Sequence, residues 1–550
     1  MAYRTLRFPA RTVSNIFSSC SSRMLATATI AALRRRRRKL IAPVTVAALF
    51  AVFAPAALAI DRHFVSLNGP WASFPNWNPS GVPQPADNAI VDFFNGGPGR
   101  ATVSIDVGAV TSATIANGDT VAFTNGGTLL CGSGGINVGY FNTAGTLSII
   151  NPNPINFFQA GMTVTGEVHV GRLSGSGTIS QNDGTVTLVS GLYVGSSGNS
   201  GSPFGSTGTY NFGGGTFRGT SVSIAVFTRS AGSLNVSGGT FTSQSMTIGN
   251  QGDGFVRQTG GIVNISQNVL MGSANTSSNY TLNGGSFRTD FLQLGSGMGT
   301  ALFSYNGGSF FVDTLDFERN TAALRVSPGA NKVVQLGNIL EMGDNHFPVK
   351  GTVDLSDNRM TLPYFQFNYD EVRRDLRSAY NNGLWNGLGL TSSIAAASLT
   401  HSTALGYGYN GGFLLVKYTY YGDADLNGIV NFDDYSRIDN GYNNGGSDWS
   451  HGDFNYDGVV NFDDYALIDL AFNTQNGTLR GAMSYLDGGD RSDADINEPA
   501  LRLIREHFRQ FGDAYASSFL HAVPEPGSGL LALGVAAALP GAFRSRRRSK

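Results

Sequence analysis

Two sequence markers recur in step along the middle of this chain, and they limit its fold more than any other feature. The first is a Gly-Gly pair followed by Thr or Ser and then Phe. It occurs as Gly214-Gly215-Thr216-Phe217, Gly238-Gly239-Thr240-Phe241, Gly284-Gly285-Ser286-Phe287 and Gly307-Gly308-Ser309-Phe310, with a degenerate copy at Gly260-Gly261-Ile262-Val263. Steps between the Phe/Val positions are 24, 22, 24 and 23 residues. The second marker is an apolar residue followed by glycine: Val170-Gly171, Val194-Gly195, Ile248-Gly249, Met271-Gly272 and Leu294-Gly295, with Ala225 standing where one glycine is lost. Between the markers polar and apolar residues alternate, as in Leu234-Asn235-Val236-Ser237 and Tyr280-Thr281-Leu282-Asn283. That is the period of a strand. A strand-and-turn unit this short cannot bury its own apolar face, but stacked copies can. The expected fold is mostly β: a Gly-rich, parallel β-helix-like solenoid over 100–330, its Phe and Val residues laddered inside at about 4.8 Å per rung. A β-propeller fits less well, because its blades need about 40 residues or more.

Glycine supplies 73 of the 550 residues, and charged residues only 14%. Disorder is excluded by the 41% apolar fraction, and collagen by the lack of a strict every-third glycine. The repeat region resembles the Gly-rich passenger repeats of bacterial autotransporters. No terminal series of amphipathic strands follows that could form an outer-membrane barrel, which speaks against that export route. Residues 60–99 are expected to cap the first rung and 331–420 the last, the latter containing a short charged helix over Asp370–Tyr380.

The N-terminus reads as an export signal over 1–59. Arg34 to Lys39 precede an apolar run, Leu40 to Ala54, and then Ala57-Leu58-Ala59, which has the small-x-small form of a cleavage site. The alternative is an uncleaved anchor, for which the run is short. Cleavage would remove Cys20 and leave Cys131 alone, so no internal disulfide is expected. Residues 1–59 hold ten basic groups and no acidic ones; setting them aside leaves 27 basic against 38 acidic groups. Nucleic acid is therefore not an expected partner, since phosphate binding needs a basic face.

The sharpest chemical signal is a pair of 12-residue loops, 30 residues apart. The first carries Asp423, Asp425, Asn427, Gly428, Asn431 and Asp434, and the second Asp453, Asn455, Asp457, Gly458, Asn461 and Asp464. These fill loop positions 1, 3, 5, 6, 9 and 12 in both. Calcium takes six to eight hard oxygen ligands, glycine at position 6 permits the bend, and Ile429 and Val459 at position 7 would offer backbone carbonyls. Two Ca2+ sites are expected. Tyr435 with Ile438, and Tyr465 with Ile468, then recur on helical faces that would pack the two units together. Over 421–475 the pattern resembles type I dockerins. That resemblance implies calcium-dependent folding and docking onto a cohesin-like module, typically in complexes that degrade polysaccharide. Phe432-Asp433 and Phe462-Asp463 stand where cellulosomal dockerins often carry small hydroxyl residues, so a cellulosomal partner does not carry over.

Residues 476–522 read as a linker with a short helix. After them, Val523-Pro524-Glu525-Pro526 lead into a Gly/Ala/Leu-rich run to Phe543 and a basic end, Arg544, Arg546, Arg547, Arg548 and Lys550. This order over 523–550 resembles the PEP-CTERM sorting signal. It implies a C-terminal transmembrane tail, recognised by an exosortase-like processing enzyme at the cell envelope; a plain tail anchor is the alternative.

Catalysis on a solenoid would need paired carboxylates. Asp290 and Asp313 each sit three residues after a repeat Phe, so they should stack on neighbouring rungs about 4.8 Å apart. Pointing to solvent or sharing a cation is the plainer reading of both. His169, alternating with Val168 and Val170, reads as a surface histidine. The expected function is a non-catalytic secreted surface or matrix protein that binds calcium, with a surface polysaccharide as a candidate partner. A polysaccharide-active enzyme, a glycoside hydrolase or lyase, is the alternative.

Overall fold

A computed structural model describes residues 60–66, 68–92, 102–149, 160–196, 205–273, 276–343, 348–492 and 498–523. The export-signal residues Ala57 and Ala59, and Pro524, Glu525, Pro526 and the tail beyond them, lie outside the described residues. Among the described residues no helix is long and apolar enough to cross a membrane.

The repeat closes into a parallel β-solenoid of about eleven turns. A typical turn pairs a six-residue strand, such as Ala231–Val236, with a nine-residue strand, such as Thr240–Ile248, and each lies parallel to its counterpart one turn away. The inward residues alternate: Leu234, Val236, Phe241, Met246 and Ile248 are all buried. The expected ladder is present in register, Phe217 against Phe241, Phe241 against Val263, Val263 against Phe287, Phe287 against Phe310 and Phe310 against Val334. Phe217 and Phe241 stack at 4.1 Å between ring centroids.

The two markers are the corners. Gly215 turns at φ +78° and Gly195 at φ +73°, where an L side chain is strained, and Ala225 adopts φ +58° at the corner that has lost its glycine. Two buried tyrosines interrupt the apolar interior. Tyr210 and Tyr280 each donate to a buried glutamine on the preceding turn, Gln181 and Gln258, at 2.6 Å. Each glutamine Nε2 in turn donates to carbonyls beside the Gly corner, so the polar atoms are satisfied. Cys131 is free and buried, and burial pushes its thiol up to about 12.

The solenoid extends past the expected boundary at 330. Parallel pairing continues through Val333–Glu341, Arg359–Pro363 and Gly389–Thr391, after the sequence markers have faded. Inward alternation alone sustains a rung, so the Phe ladder is sufficient but not required. The C-terminal cap is correspondingly smaller than 331–420. It consists of helix α1 (Gln366–Tyr380), a one-turn helix α2 (Ser393–Ala396), and an antiparallel hairpin, Thr403–Asn410 with Phe413–Tyr420, whose second strand closes the sheet on Arg359–Pro363. At the other end Trp71, Trp77 and Phe64 pack edge-on beneath the first rung.

The expected linker over 476–522 is instead helical. After α3 (Phe432–Asn444) and α4 (Phe462–Asn476) come α5 (Leu479–Leu486), α6 (Pro499–Phe511) and α7 (Asp513–Ala522), with Ala482, Ile504, Tyr515 and Phe519 in the core. Its charged composition suggested solvation, but Arg505 and His507 are themselves buried against this bundle.

Candidate metal centre

Each loop leads into a helix, and sequence dictates the junction. Asn431 and Asn461 cap α3 and α4, and Asp434 and Asp464 complete reciprocal capping boxes three residues on. The position-12 carboxylates are thereby fixed in place and buried, as are the position-1 residues Asp423 and Asp453. Position 4 takes φ +62° at Leu426 and +61° at Tyr456; position 6 takes +99° at Gly428 and +91° at Gly458. The two loops therefore share one backbone conformation.

Side chains turn into the loops. In the first, Asp423 accepts from the amides of Asn427 and Gly428 at 2.9 Å, Asp425 from Asn427, and Asn427 from Ile429. In the second, Asp453 accepts from Gly458 at 3.0 Å, Asn455 from Asp457, and Asp457 from Val459. Asn431 and Asn461 each accept from the amide two residues on at 2.7 Å. Ile429 and Val459 expose their side chains, as residues contributing only a carbonyl can.

Carboxylate oxygens of Asp423, Asp425 and Asp434 lie within 4.8 Å of one another. In the second loop Asn455 replaces one acid, leaving Asp453, Asp457 and Asp464 to act on each other. Burial, with repulsion from neighbouring acids, pushes Asp434 and Asp453 up to about 6 and Asp464 well above its ordinary value. The Oδ1 atom of Asp453 is buried without a hydrogen-bond partner. A carboxylate oxygen stranded among other acids is what a divalent cation would satisfy, so the residues present fit calcium. In comparisons with protein-family models, curated proteins and solved structures, nothing matches this chain.

The loops are built into the cap. Trp449 Nε1 donates to Asp423 O at 2.7 Å, and Tyr456 Oη to Leu405 O at 2.9 Å, tying both loops to the hairpin side of the solenoid. Sequence reasoning missed these contacts. It also missed Asp439 and Asp469, although the repeated Tyr-x-x-Ile-Asp that carries them, 435–439 and 465–469, is legible.

Elsewhere, Asp290 and Asp313 do lie at matching positions on adjacent strands, between the pairs Thr289–Val312 and Phe291–Thr314. Asp290 is exposed and Asp313 half-buried. His169 is not a surface histidine. It is buried, stacks on Tyr193 at 4.9 Å, and is held through both ring nitrogens, by Ser196 Oγ at 2.9 Å and Glu167 Oε2 at 3.0 Å. Burial lowers its pKa to about 4, so the ring is neutral. With Ser196 only 1% exposed, this chain of three polar groups braces a rung and offers no accessible nucleophile.

Proposed function

We propose that this chain is a non-catalytic exported surface or matrix protein whose paired loops bind two calcium ions. Asp423, Asp425, Asn427, Asn431 and Asp434 would hold one ion and Asp453, Asn455, Asp457, Asn461 and Asp464 the other, with the Ile429 and Val459 carbonyls completing each set. The observation that carries this reading is the conformational identity of the two loops, together with the stranded Oδ1 of Asp453. The module is dockerin-like in sequence. Its exposed α3 face, with Phe432 and Tyr442, would be the surface for a cohesin-like partner, because residues 464–473 of α4 are all buried. Export through the 1–59 signal, and sorting at Val523-Pro524-Glu525-Pro526 by an exosortase-like enzyme with transient anchoring by the tail, place the protein at the cell envelope.

Calorimetric titration of the full chain with calcium tests the metal reading. Two bound ions and a raised melting temperature are expected; no heat and no shift would refute it. The alternative, a polysaccharide-active enzyme, draws on the stacked Asp290 and Asp313. It requires reducing ends to be released from a polysaccharide substrate and that release to vanish in Asp290→Asn.

A further inference from the structure

An open cleft of ≈ 360 Å³ lies where the start of α1, the hairpin and the turn before the second loop converge. Its apolar walls are Tyr364 and Tyr409, 40% and 64% exposed, whose rings meet edge-on at 5.1 Å and 77°. Tyr369 stands behind Tyr364 at 6.1 Å and is itself backed by Tyr407. The opposite rim is polar: Asp370, Arg373, Asp448 and His451.

Those polar groups are held in position before any ligand arrives. Asp448 Oδ1 accepts from His451 Nδ1 at 2.7 Å, from the His451 amide at 3.1 Å and from Ser450 Oγ at 2.8 Å. Arg373 Nη1 donates to Ser447 O at 3.2 Å, and Gln366 Nε2 to Asp370 Oδ1 at 3.2 Å. None of these residues takes part in the calcium loops or in the solenoid core.

We propose that this cleft binds a neutral pyranose unit of a polysaccharide. A pyranose has a C–H face that lies on an aromatic ring, drawn by the ring's negative π-face, and an edge of paired hydroxyls that match the two oxygens of a carboxylate. The perpendicular tyrosines offer such a face, and Asp370 and Asp448 such an edge. Two carboxylates against one guanidinium disfavour phosphate, so a nucleotide with similar stacking capacity is repelled. The same balance disfavours a uronic acid.

The inference rests on the reading of this chain as a surface protein that meets polysaccharide, and it names the site. A single open subsite of about twelve ligand heavy atoms should bind with Kd near ~1 mM. Saturation-transfer NMR of the full chain with cellohexaose, maltohexaose, chitohexaose and hexagalacturonate reads such affinities. At least one neutral sugar should bind, Tyr409→Ala should weaken it about tenfold, and Asp370→Ala should also weaken it. Phe141→Ala, an exposed aromatic on the solenoid, should leave binding unchanged. Tyr409 is an exposed hairpin residue, and an unaltered melting curve would show that Tyr409→Ala keeps its fold. Silence from all neutral sugars, binding of the acidic sugar alone, or undiminished binding in folded Tyr409→Ala would overturn the proposal. Calcium titration of the same sample reads the loops separately, so the two readings fail independently.

Discussion

The Tyr435 hydroxyl on α3 donates to Asp469 on α4 at 2.6 Å, and 30 residues on, Tyr465 of α4 returns the same bond to Asp439 of α3. The two loop-helix units thus face each other about a local two-fold relation. Gly422 and Gly452 repeat it, since a side chain on either would collide with Ile468 or Ile438 of the opposite unit. One half of this pair has gained a further role. Asp469 also accepts from His507 Nδ1 at 2.6 Å and Tyr515 Oη at 2.5 Å, which latches α6 and α7 onto α4.

That latch should respond to pH. Burial pulls His507 down, but Asp469, with Asp439 and Glu506 nearby, more than offsets it and holds the pKa above the ordinary 6.5. A histidine raised on folding contributes stability that is fully present below 6.5 and lost as pH rises through the folded value. The melting temperature of the C-terminal bundle should therefore fall between pH 6 and pH 8.5. His507→Gln should flatten that dependence, and an unchanged slope in the variant would refute the assignment. Tyr435, Tyr465 and Tyr515 also face the ring, but their ordinary titration near 10 lies above this window.

Calcium should stabilise the same region by mass action, about 2.7 kcal/mol at a hundredfold excess over Kd. Chelator should remove that gain, and Asp423→Ala and Asp453→Ala should each delete one of two binding events in calorimetry. Residues 421–475, which the sequence alone marks as a calcium-folded unit, leave out the hairpin, α6 and α7. The shortest fragment worth testing runs from Thr403 to Val523, because Tyr456, Trp449 and Asp469 take partners from both sides.

Phe241 stacks on Phe217 and touches Phe212 in a fully buried interior. Phe241→Asp would bury an unpaired charge and should cost about 4 kcal/mol. Phe241→Leu keeps the apolar contact and should cost about 1 kcal/mol. Denaturant midpoints of the two variants should differ clearly; equal midpoints would contradict the ladder.

Ala225 bears a left-handed backbone that its counterparts Gly195 and Gly249 adopt without strain. Ala225→Gly should raise stability by about 0.5–1 kcal/mol. Gly171→Ala should do the reverse, and more strongly, because its new methyl would run into the carbonyl oxygen of Thr207. Denaturation of both variants against the parent chain checks the sign.

The solenoid was legible because its physics is local and periodic. Alternation sets which residues face inward, glycine marks where the chain must turn with positive φ, and a constant period brings Phe217, Phe241, Phe287 and Phe310 into line. The calcium loops were legible for the same reason, since their ligands lie within 12 consecutive residues. Tertiary structure alone decided what period and spacing do not encode. It carried the rungs on to Gly389–Thr391, where inward alternation persists without the markers. It also turned an apparent linker into helices, because the buried carboxylate of Asp469 supplies His507 and Tyr515 with a partner 38 and 46 residues away. And it brought Tyr364, Tyr409 and Asp448 to one cleft. Such meetings depend on how the capping elements pack across the last rung, and no local pattern in the chain records that.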